Sequence, residues 1–303
     1  MHQPVLLNEV LEYLDPRPGQ FIIDGTVDGG GHASAIIEKI GPKGKFLGLD
    51  LDERLIRETE KRISSSNLQS QISNLFFRHA NYADLPEILE REKLPLADRL
   101  FLDLGFSSDQ LEGSGRGFSF QESKADEPLL MTYDDSRTPV RELLKKISEK
   151  ELADIIFEFG GERQSRRIAK AIVEQARKKA MSTSGELAET VRSALPHGYE
   201  RGRIDPATRT FQALRIWVNQ ELEGLDRFVE TTVGRLRAGA RIVVIAFHSL
   251  EDRIVKHTLR ALGHGHDAAV AVLTKRPLVP TDEEVQRNPR ARSAKLRAAE
   301  KVA

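Results

Sequence analysis

The chain contains no cysteine among its 303 residues, and it carries no net charge, since 46 Lys and Arg balance 46 Asp and Glu. The first absence excludes disulfides, thiolate nucleophiles and cysteine-based zinc sites. The second removes overall charge as an argument for binding nucleic acid. No apolar run approaches the ~20 residues that a membrane helix needs, and the amino terminus lacks the apolar segment of a signal peptide. We therefore expect a soluble, cytoplasmic protein that does not bind membranes.

What the chain does have is a glycine-rich loop near its amino terminus. Apolar residues 21–23 end in Asp24, the glycines follow, and an amphipathic stretch covers Ala33–Ile40. This order predicts a strand, a tight turn and a helix whose first N–H groups face a nucleotide-like ligand. The loop is neither a P-loop, because His32 and Ala33 stand where Lys and Ser/Thr are needed, nor a full G-x-G-x-x-G, because Ser34 replaces the last glycine. A plain turn is the alternative reading.

A second acidic residue narrows the kind of ligand. Asp50 ends the next apolar run, 45–50, where a carboxylate accepts hydrogen bonds from ribose hydroxyls. Asp50 or Asp52 could instead cap the following helix, and Asp52 suits that role. Loop and acid together favour an adenosine-containing cofactor.

Strand-like and helix-like segments alternate through the first hundred residues, which predicts an α/β fold with a doubly wound, mostly parallel sheet. The next buried strand, 240–247, lies roughly 135 residues beyond Leu104, far more than a crossover needs. We therefore predict a cofactor-binding domain of residues 1–105 and 206–303, and an inserted loop and helical substrate-recognition domain of residues 106–205. A long helical pattern from 206 to 236 returns the chain to the sheet, and 270–274 with 293–300 could close the sheet as an antiparallel pair.

The end of the fourth predicted strand is the main candidate for chemistry. It lies beside the first strand where the strand order reverses, and ligands bind at such switch points. Asp103 could therefore touch both a cofactor and a reacting group, with Ser107 and Gln110 as further polar contacts; the alternative is that Asp103 caps a turn. Tyr82 follows the third strand, where its ring could stack on a base or simply pack.

Charged residues mark possible substrate contacts. His248 directly follows the fifth strand and could move a proton or bind a phosphate, although a lone histidine is more often structural. Arg253 belongs to the same segment. Basic residues also cluster in the insert, around Arg209, and at Arg290 and Arg292, in patterns that would neutralise RNA phosphates or form solvated helix faces. No cluster of residues suggests a metal site, and the oligomeric state stays open.

Long, unusual segments resemble the MraW/RsmH family of bacterial ribosomal RNA small-subunit methyltransferases, which make N4-methylcytosine. The matching segments, which run almost from end to end, are Pro4–Glu9, Asp24–Thr26 with Gly30–His32, Asp103–Ser108, Arg116–Phe120, Pro206–Asn219, Phe247–Arg253 and Asn288–Ser293.

The resemblance implies a class I S-adenosylmethionine-dependent methyltransferase fold and a cytosine in the decoding region of 16S rRNA, in the small ribosomal subunit, as substrate. It also assigns residues. The expected cofactor contacts are Gly30, Gly31, His32, Asp50, Tyr82, Asp103 and Gln110. From the switch point and the charge pattern, rather than from the resemblance, we expect Asp103 and Ser107 to be catalytic, and we expect the substrate contacts to be Arg209, His248, Arg253, Arg290 and Arg292.

Two departures from the family pattern stand out. Asp28 occupies a position where the family usually has glycine, and Asp is among the few other residues that tolerate a positive φ. The family's Leu-Asp-Met-Arg-Met appears as Leu129–Tyr133, without its two charges. Two other functions stay open: a methyltransferase for a small molecule or a protein, and a non-catalytic RNA-binding relative.

Overall fold

A computed structural model describes residues 3–65, 74–104, 113–196, 198–199 and 205–302 of the chain. The chain divides into two compact units, Met1–Gly105 with Gly224–Ala303, and Phe106–Glu223. In the described part of the chain, no helix is both long and apolar enough to span a membrane.

The first unit alternates strands and helices along the chain. Its strands are β1 (Phe21–Asp24), β2 (Lys45–Asp50), β3 (Leu75–His79), β4 (Ala97–Asp103), β5 (Leu236–Ala246), β6 (Val270–Val272) and β7 (Lys295–Lys301). Its helices are α1 (Leu7–Leu14), α2 (Gly31–Ile40), α3 (Glu53–Ser64), α4 (Leu85–Arg91), α10 (Leu225–Gly234), α11 (Ser249–Leu262) and α12 (Asp282–Arg287). Within the described ranges, the helices of the second unit are α5 (Val140–Leu143), α6 (Glu149–Gly160), α7 (Ser165–Lys178), α8 (Ser184–Ala194) and α9 (Thr208–Asn219).

The seven strands form one sheet in the order β3-β2-β1-β4-β5-β7-β6. The first five run parallel, and β7 pairs antiparallel with both β5 and β6. The predicted α/β class and the antiparallel closing pair are confirmed. Because β1 lies between β2 and β4, the strand order reverses between β1 and β4, as the sequence predicted.

Apolar side chains cover both faces of this sheet. Strand β1 is buried throughout, since Phe21 and Ile23 face one core cluster while Ile22 faces the other. Burial on both faces explains why the strand reads as a continuous apolar run rather than an alternating one. Helix α1, which the sequence analysis did not predict, places Val10 and Leu14 in the second of these clusters.

The second unit has its own helical core, and here two sequence predictions need correction. Phe211 and Leu214 of α9 lie in that core, so residues 206–223 group with the insert rather than with the first domain. The predicted long helix from 206 is two helices, because Gln220 (φ 54°) ends α9 in a left-handed conformation and Gly224 (φ 74°) precedes α10. Helix α8 is capped by Thr183, whose hydroxyl accepts from the Glu186 N–H in a capping box.

Candidate active site at the carboxyl edge of the sheet

Three acidic residues end three neighbouring strands of the first unit. Asp24, Asp50 and Asp103 are the last residues of β1, β2 and β4. Since parallel strands end at the same edge of a sheet, these carboxylates share the edge where the switch point lies. The structure thus brings together Asp50 and Asp103, the two acids that the sequence predicted for the site, and adds Asp24 between them.

The glycine-rich loop is fastened to the strands on both sides of β1. The Gly25 N–H donates to Phe101 O of β4 at 3.0 Å, and the Val27 N–H donates to Leu49 O of β2 at 2.9 Å. Such bonds fix the loop before any ligand arrives, so that its backbone is preorganised for binding.

Two loop residues adopt left-handed backbone angles. Asp28 has φ 47° and Gly30 has φ 69°. A Cβ on Gly30 would come within 2.4 Å of Arg62 Nη2 and 2.5 Å of Thr59 Cγ2, so this position requires glycine. The positive φ at Asp28 agrees with the interpretation that this position calls for glycine or a tolerant residue.

Asp50 is held by backbone donors on both of its oxygens. Its Oδ2 accepts from the Asp28 N–H and its Oδ1 accepts from the Asp52 N–H, each at 2.8 Å. Burial raises the pKa of Asp50 to about 6, although these two hydrogen bonds oppose the shift. Asp52 itself caps α3 by accepting from the N–H groups of Arg54 and Leu55, which was the alternative role expected for it.

Asp24 is fully buried. Its Oδ1 accepts from the Thr26 N–H at 3.1 Å, while its Oδ2 has no hydrogen-bond partner within the described ranges. Burial, reinforced by the charges of Asp50 and Asp28, raises the pKa of Asp24 to about 7. Sequence reasoning had not placed Asp24 among the site residues, because a strand-ending acid looks the same whether its carboxylate is exposed or buried.

Asp103 and His32 face each other next to this acid. The Asp103 N–H donates to Thr26 Oγ1 at 2.6 Å, and His32 Nδ1 lies 3.8 Å from Asp103 Oδ2. His32 Nε2 donates to Val5 O at 2.9 Å, because a carbonyl oxygen can only accept. The ring also packs 4.7 Å from the ring of Phe101, so that His32 is held in place and presents Nδ1 to the carboxylate.

The amino-terminal segment supports the site in a way that the sequence analysis missed. Val5 fixes His32, the Leu6 N–H donates to Glu284 Oε1 at 2.7 Å, and Asn288 Nδ2 donates to Gln3 O at 3.2 Å. The segment Pro4–Glu9 was visible as a sequence match, but contacts over nearly 280 positions leave no local signal.

Tyr82 follows β3, in a short 3₁₀ turn. Its ring packs edge-on against Phe228 at 4.8 Å. The ring therefore packs against the protein, as one of the two alternatives expected, and it remains partly exposed. Ser107 and Gln110, the two other predicted contacts, lie outside the described residues.

The predicted substrate residues fall into two groups. Arg253, Arg290 and Arg292 are exposed. His248 is buried and caps α11, because its Nδ1 accepts the Glu251 N–H while Glu251 Oε2 accepts the His248 N–H at 3.2 Å. This geometry gives His248 a structural role, which the sequence offered as the alternative to proton transfer or phosphate binding.

Arg209, in the second unit, pairs with a fully buried carboxylate. Its Nη1 lies 3.3 Å from Glu162 Oε2, and Tyr199 donates its hydroxyl to Glu162 Oε1 at 2.5 Å. Since an uncompensated buried charge is strongly unfavourable, Arg209 has a structural role here whatever else it contacts.

Two surfaces of the second unit differ in charge. Helix α7 and the residues beside it expose a run of cations, namely Arg163, Arg166, Arg167, Lys170, Arg177 and Lys178. In an open groove of about 1160 Å³ nearby, the charged lining residues are instead mostly acidic, with Glu122, Asp126, Glu174, Glu186, Glu189 and Asp205 against Lys178 and Arg192. The groove would repel phosphates, whereas the exposed cations would attract them.

The whole chain is similar to proteins of one family. It matches the profile of the MraW methylase family over residues 1–302. A protein named ribosomal RNA small subunit methyltransferase H from Trichlorobacter lovleyi is 44% identical over 315 residues, which cover 99% of this chain and 98% of that protein. One of the same name from Thermotoga neapolitana is 44% identical over 305 residues, with coverage of 99% and 96%. A solved structure of a putative rRNA methylase from Clostridium thermocellum aligns over 100% of both chains, at 11% identity and a TM-score of 0.46.

Proposed function

We propose that the chain, which belongs to the MraW methylase family, is a ribosomal RNA methyltransferase that transfers a methyl group from S-adenosylmethionine to the exocyclic N4 amine of a cytosine in the decoding region of 16S rRNA. The single observation that carries the proposal is the cluster of strand-ending carboxylates beside a helix N-terminus at the switch point of the sheet. The names of the relatives support small-subunit rRNA as the substrate. The family resemblance supports the cytosine N4 position.

The residues present suit this cofactor. S-adenosylmethionine supplies an electrophilic methyl group on a sulfonium cation, and it also carries an ammonium and a carboxylate. The buried Asp24, with an oxygen that no described residue satisfies, and its neighbours Asp28 and Asp50 favour a cation at this edge. The pyrophosphate of a dinucleotide would be repelled by the same three acids.

Each part of the edge has a distinct role. The first N–H groups of α2, at Gly31 and His32, would hold the cofactor's carboxylate through the positive end of the helix dipole, with Gly30 leaving room for the turn. Asp50 would accept from the ribose hydroxyls, since each of its oxygens has a lone pair beyond the one that its backbone donor uses. Tyr82 would lie against the adenine.

The acceptor amine is the harder half of the reaction, because its lone pair is delocalised into the cytosine ring. The enzyme must splay the base from its stack and hold the amine in line with the methyl group. We assign to Asp103 the role of accepting a hydrogen bond from the amine, because it ends β4 at the switch point with its carboxylate facing His32. Ser107 is assigned to the substrate amine because it follows Asp103 in the sequence, and Gln110 is assigned to the cofactor on the family resemblance.

RNA recognition would use exposed cations. Arg253, Arg290 and Arg292 in the first unit, and the cations of α7 in the second, are exposed enough to neutralise phosphates. Arg209 stays tied to Glu162, so its contribution to RNA binding would come only from donors that the pair leaves available.

Methyl transfer from labelled S-adenosylmethionine to small ribosomal subunits lacking this modification tests the proposal. We expect label in 16S rRNA, and we expect Asp103→Asn to reduce turnover while cofactor still binds. Label in protein or in small molecules alone would support a different methyltransferase. RNA binding without any transfer would support a non-catalytic relative. Wild-type turnover and cofactor affinity in Asp103→Asn would overturn the role of Asp103.

A further inference from the structure

We propose that Asp24 is a proton-coupled counter-ion: below neutral pH its carboxyl group is protonated in the free protein, and it ionises when the cationic cofactor binds, releasing its proton to solvent. The inference rests on the proposed function, because it takes S-adenosylmethionine as the ligand. It adds a residue and a linkage that the family match does not supply.

The geometry around Asp24 leaves half of its carboxyl group unused. The side chain is fully buried, Oδ1 accepts one backbone N–H from Thr26, and Oδ2 has no partner among residues 3–65, 74–104 and the other described ranges. Most buried polar atoms in proteins are hydrogen-bonded, so an orphaned carboxyl oxygen at a ligand-binding edge indicates a partner supplied by the ligand.

The charges near Asp24 explain why it would be neutral without a ligand. Asp50 from β2 and Asp28 from the loop act on it directly, and both disfavour its negative form. Among the described residues, further ionisable groups near this edge include Asp103 at the end of β4, His32 on α2 and Arg62 on α3, which approaches Gly30. Three of the five neighbours are acids, and burial removes the water that would otherwise stabilise the anion.

A bound cation would reverse this balance. An opposite charge within a few ångströms favours the ionised carboxylate, so the O–H bond of Asp24 breaks, the electron pair stays on oxygen and the proton goes to the buffer. With Asp24 titrating at about pH 7 in the free protein, linkage predicts that the cofactor binds about tenfold more tightly at pH 8 than at pH 6.

Calorimetric titration of the full-length protein with S-adenosylmethionine tests the inference. Measurements at pH 6 in two buffers of different ionisation enthalpy give the number of protons released. Kd values at pH 6 and pH 8 give the slope of log Kd against pH. We expect release of about one proton at pH 6 in the wild type. Adenosine, which carries neither cation of the cofactor, should bind with markedly less proton release.

Two variants separate Asp24 from other titrating groups. Asp24→Asn keeps the acceptor for the Thr26 N–H but cannot ionise, so its pH slope and proton release should fall below those of the wild type. Asp98→Asn is the matched control, because Asp98 accepts from the Phe21 N–H at 2.8 Å near the opposite end of the strands; it should behave as the wild type. At pH 6 the α-amino group of the free cofactor is protonated in all three titrations, so proton release at this pH reports on the protein.

The outcomes distinguish this inference from the proposed function. Equal proton release with S-adenosylmethionine and adenosine in the wild type, or an unchanged slope and release in Asp24→Asn, would overturn the inference while leaving the proposed function intact. The comparison of the two ligands needs only the wild type, so it decides the matter even if Asp24→Asn does not fold. Failure of the wild type to bind S-adenosylmethionine at either pH would overturn both.

Discussion

The backbone N–H of Asp28 donates a 2.8 Å hydrogen bond to Oδ2 of Asp50. This bond joins the residue that departs from the family's glycine to the acid that we assign to the ribose. Asp28 has φ 47°, and its N–H reaches Asp50 from this left-handed conformation. The backbone geometry of the loop and the orientation of Asp50 are therefore linked.

Substitutions at Asp28 should separate its backbone from its charge. Asparagine tolerates the left-handed region, so Asp28→Asn should change the free energy of unfolding by less than about 0.5 kcal/mol. The measurement belongs at pH 5, where the neighbouring Asp24 and Asp50, with pKa values raised to about 7 and about 6, are mostly protonated. Valine does not tolerate it, and Asp28→Val should cost about 1–2 kcal/mol. Urea unfolding measures both. Equal stability of the two variants would contradict the strained backbone.

The cofactor-free protein should lose stability as the pH rises from about 4 to about 7. Burial raises the pKa of Asp24 from 3.8 to about 7, so the folded state holds a proton that the unfolded state has already released in this window. The free energy of unfolding therefore falls with pH, by a few kcal/mol at most. Asp50, raised to about 6, adds to the effect in the lower part of the window.

Asp24→Asn supplies the measurement for that prediction. The variant mimics the protonated acid at every pH, so the difference in unfolding free energy between variant and wild type should grow from pH 4.5 to pH 7.5. A difference that does not change with pH would show that Asp24 ionises normally. Comparing the two proteins also cancels groups such as Asp15 and Glu186, whose pKa values are lowered and which act in the opposite direction.

Removing Arg209 should destabilise the second unit even when no RNA is bound. Glu162 is fully buried, and its charge partner in the described chain is Arg209 at 3.3 Å. Arg209→Ala should cost about 3 kcal/mol, since it leaves a buried carboxylate without its cation. Glu162→Gln removes the charge that needs compensation, so the double variant should recover part of the loss. Thermal unfolding of the wild type, the two single variants and the double variant measures these effects. A melting temperature of Arg209→Ala equal to that of the wild type would contradict the structural role of Arg209.

Arg290 and Arg292 should carry part of the electrostatic binding to RNA. Replacing both with Ala should weaken binding and reduce the slope of log K against log salt by about 1.4–1.8, as expected for two phosphate contacts. Arg17→Ala with Lys43→Ala is the matched control, because it removes the same charge from exposed residues before β1 and β2. An equal change in both double variants would indicate an effect of net charge alone.

Much of the fold could be predicted because its signals are local. The β1 run, the loop and α2 follow from apolar periodicity and glycine placement, and the place of Asp103 follows from the handed connections of parallel sheets. The switch point between β1 and β4 was predicted from the same reasoning and is confirmed.

The rest depends on contacts that lie far apart in the chain. Whether Asp24 is exposed depends on what packs around the end of β1, which lies between β2 and β4. The attachment of α9 to the insert depends on which core accepts Phe211. His248 reads as a catalytic candidate until its ring is seen to cap α11. Burial of a polar group is a tertiary property, and single-sequence patterns carry almost no trace of it.

Identifying the methylated atom tests most directly whether the protein methylates the N4 amine of a cytosine in 16S rRNA. Small subunits methylated by the purified protein would be digested, and the nucleosides and the 16S rRNA fragment that carries them identified by mass spectrometry. We expect N4-methylcytidine in a fragment from the decoding region, and less of it with Asp103→Asn. A methyl group on another atom, on another rRNA or on no RNA would contradict this expectation.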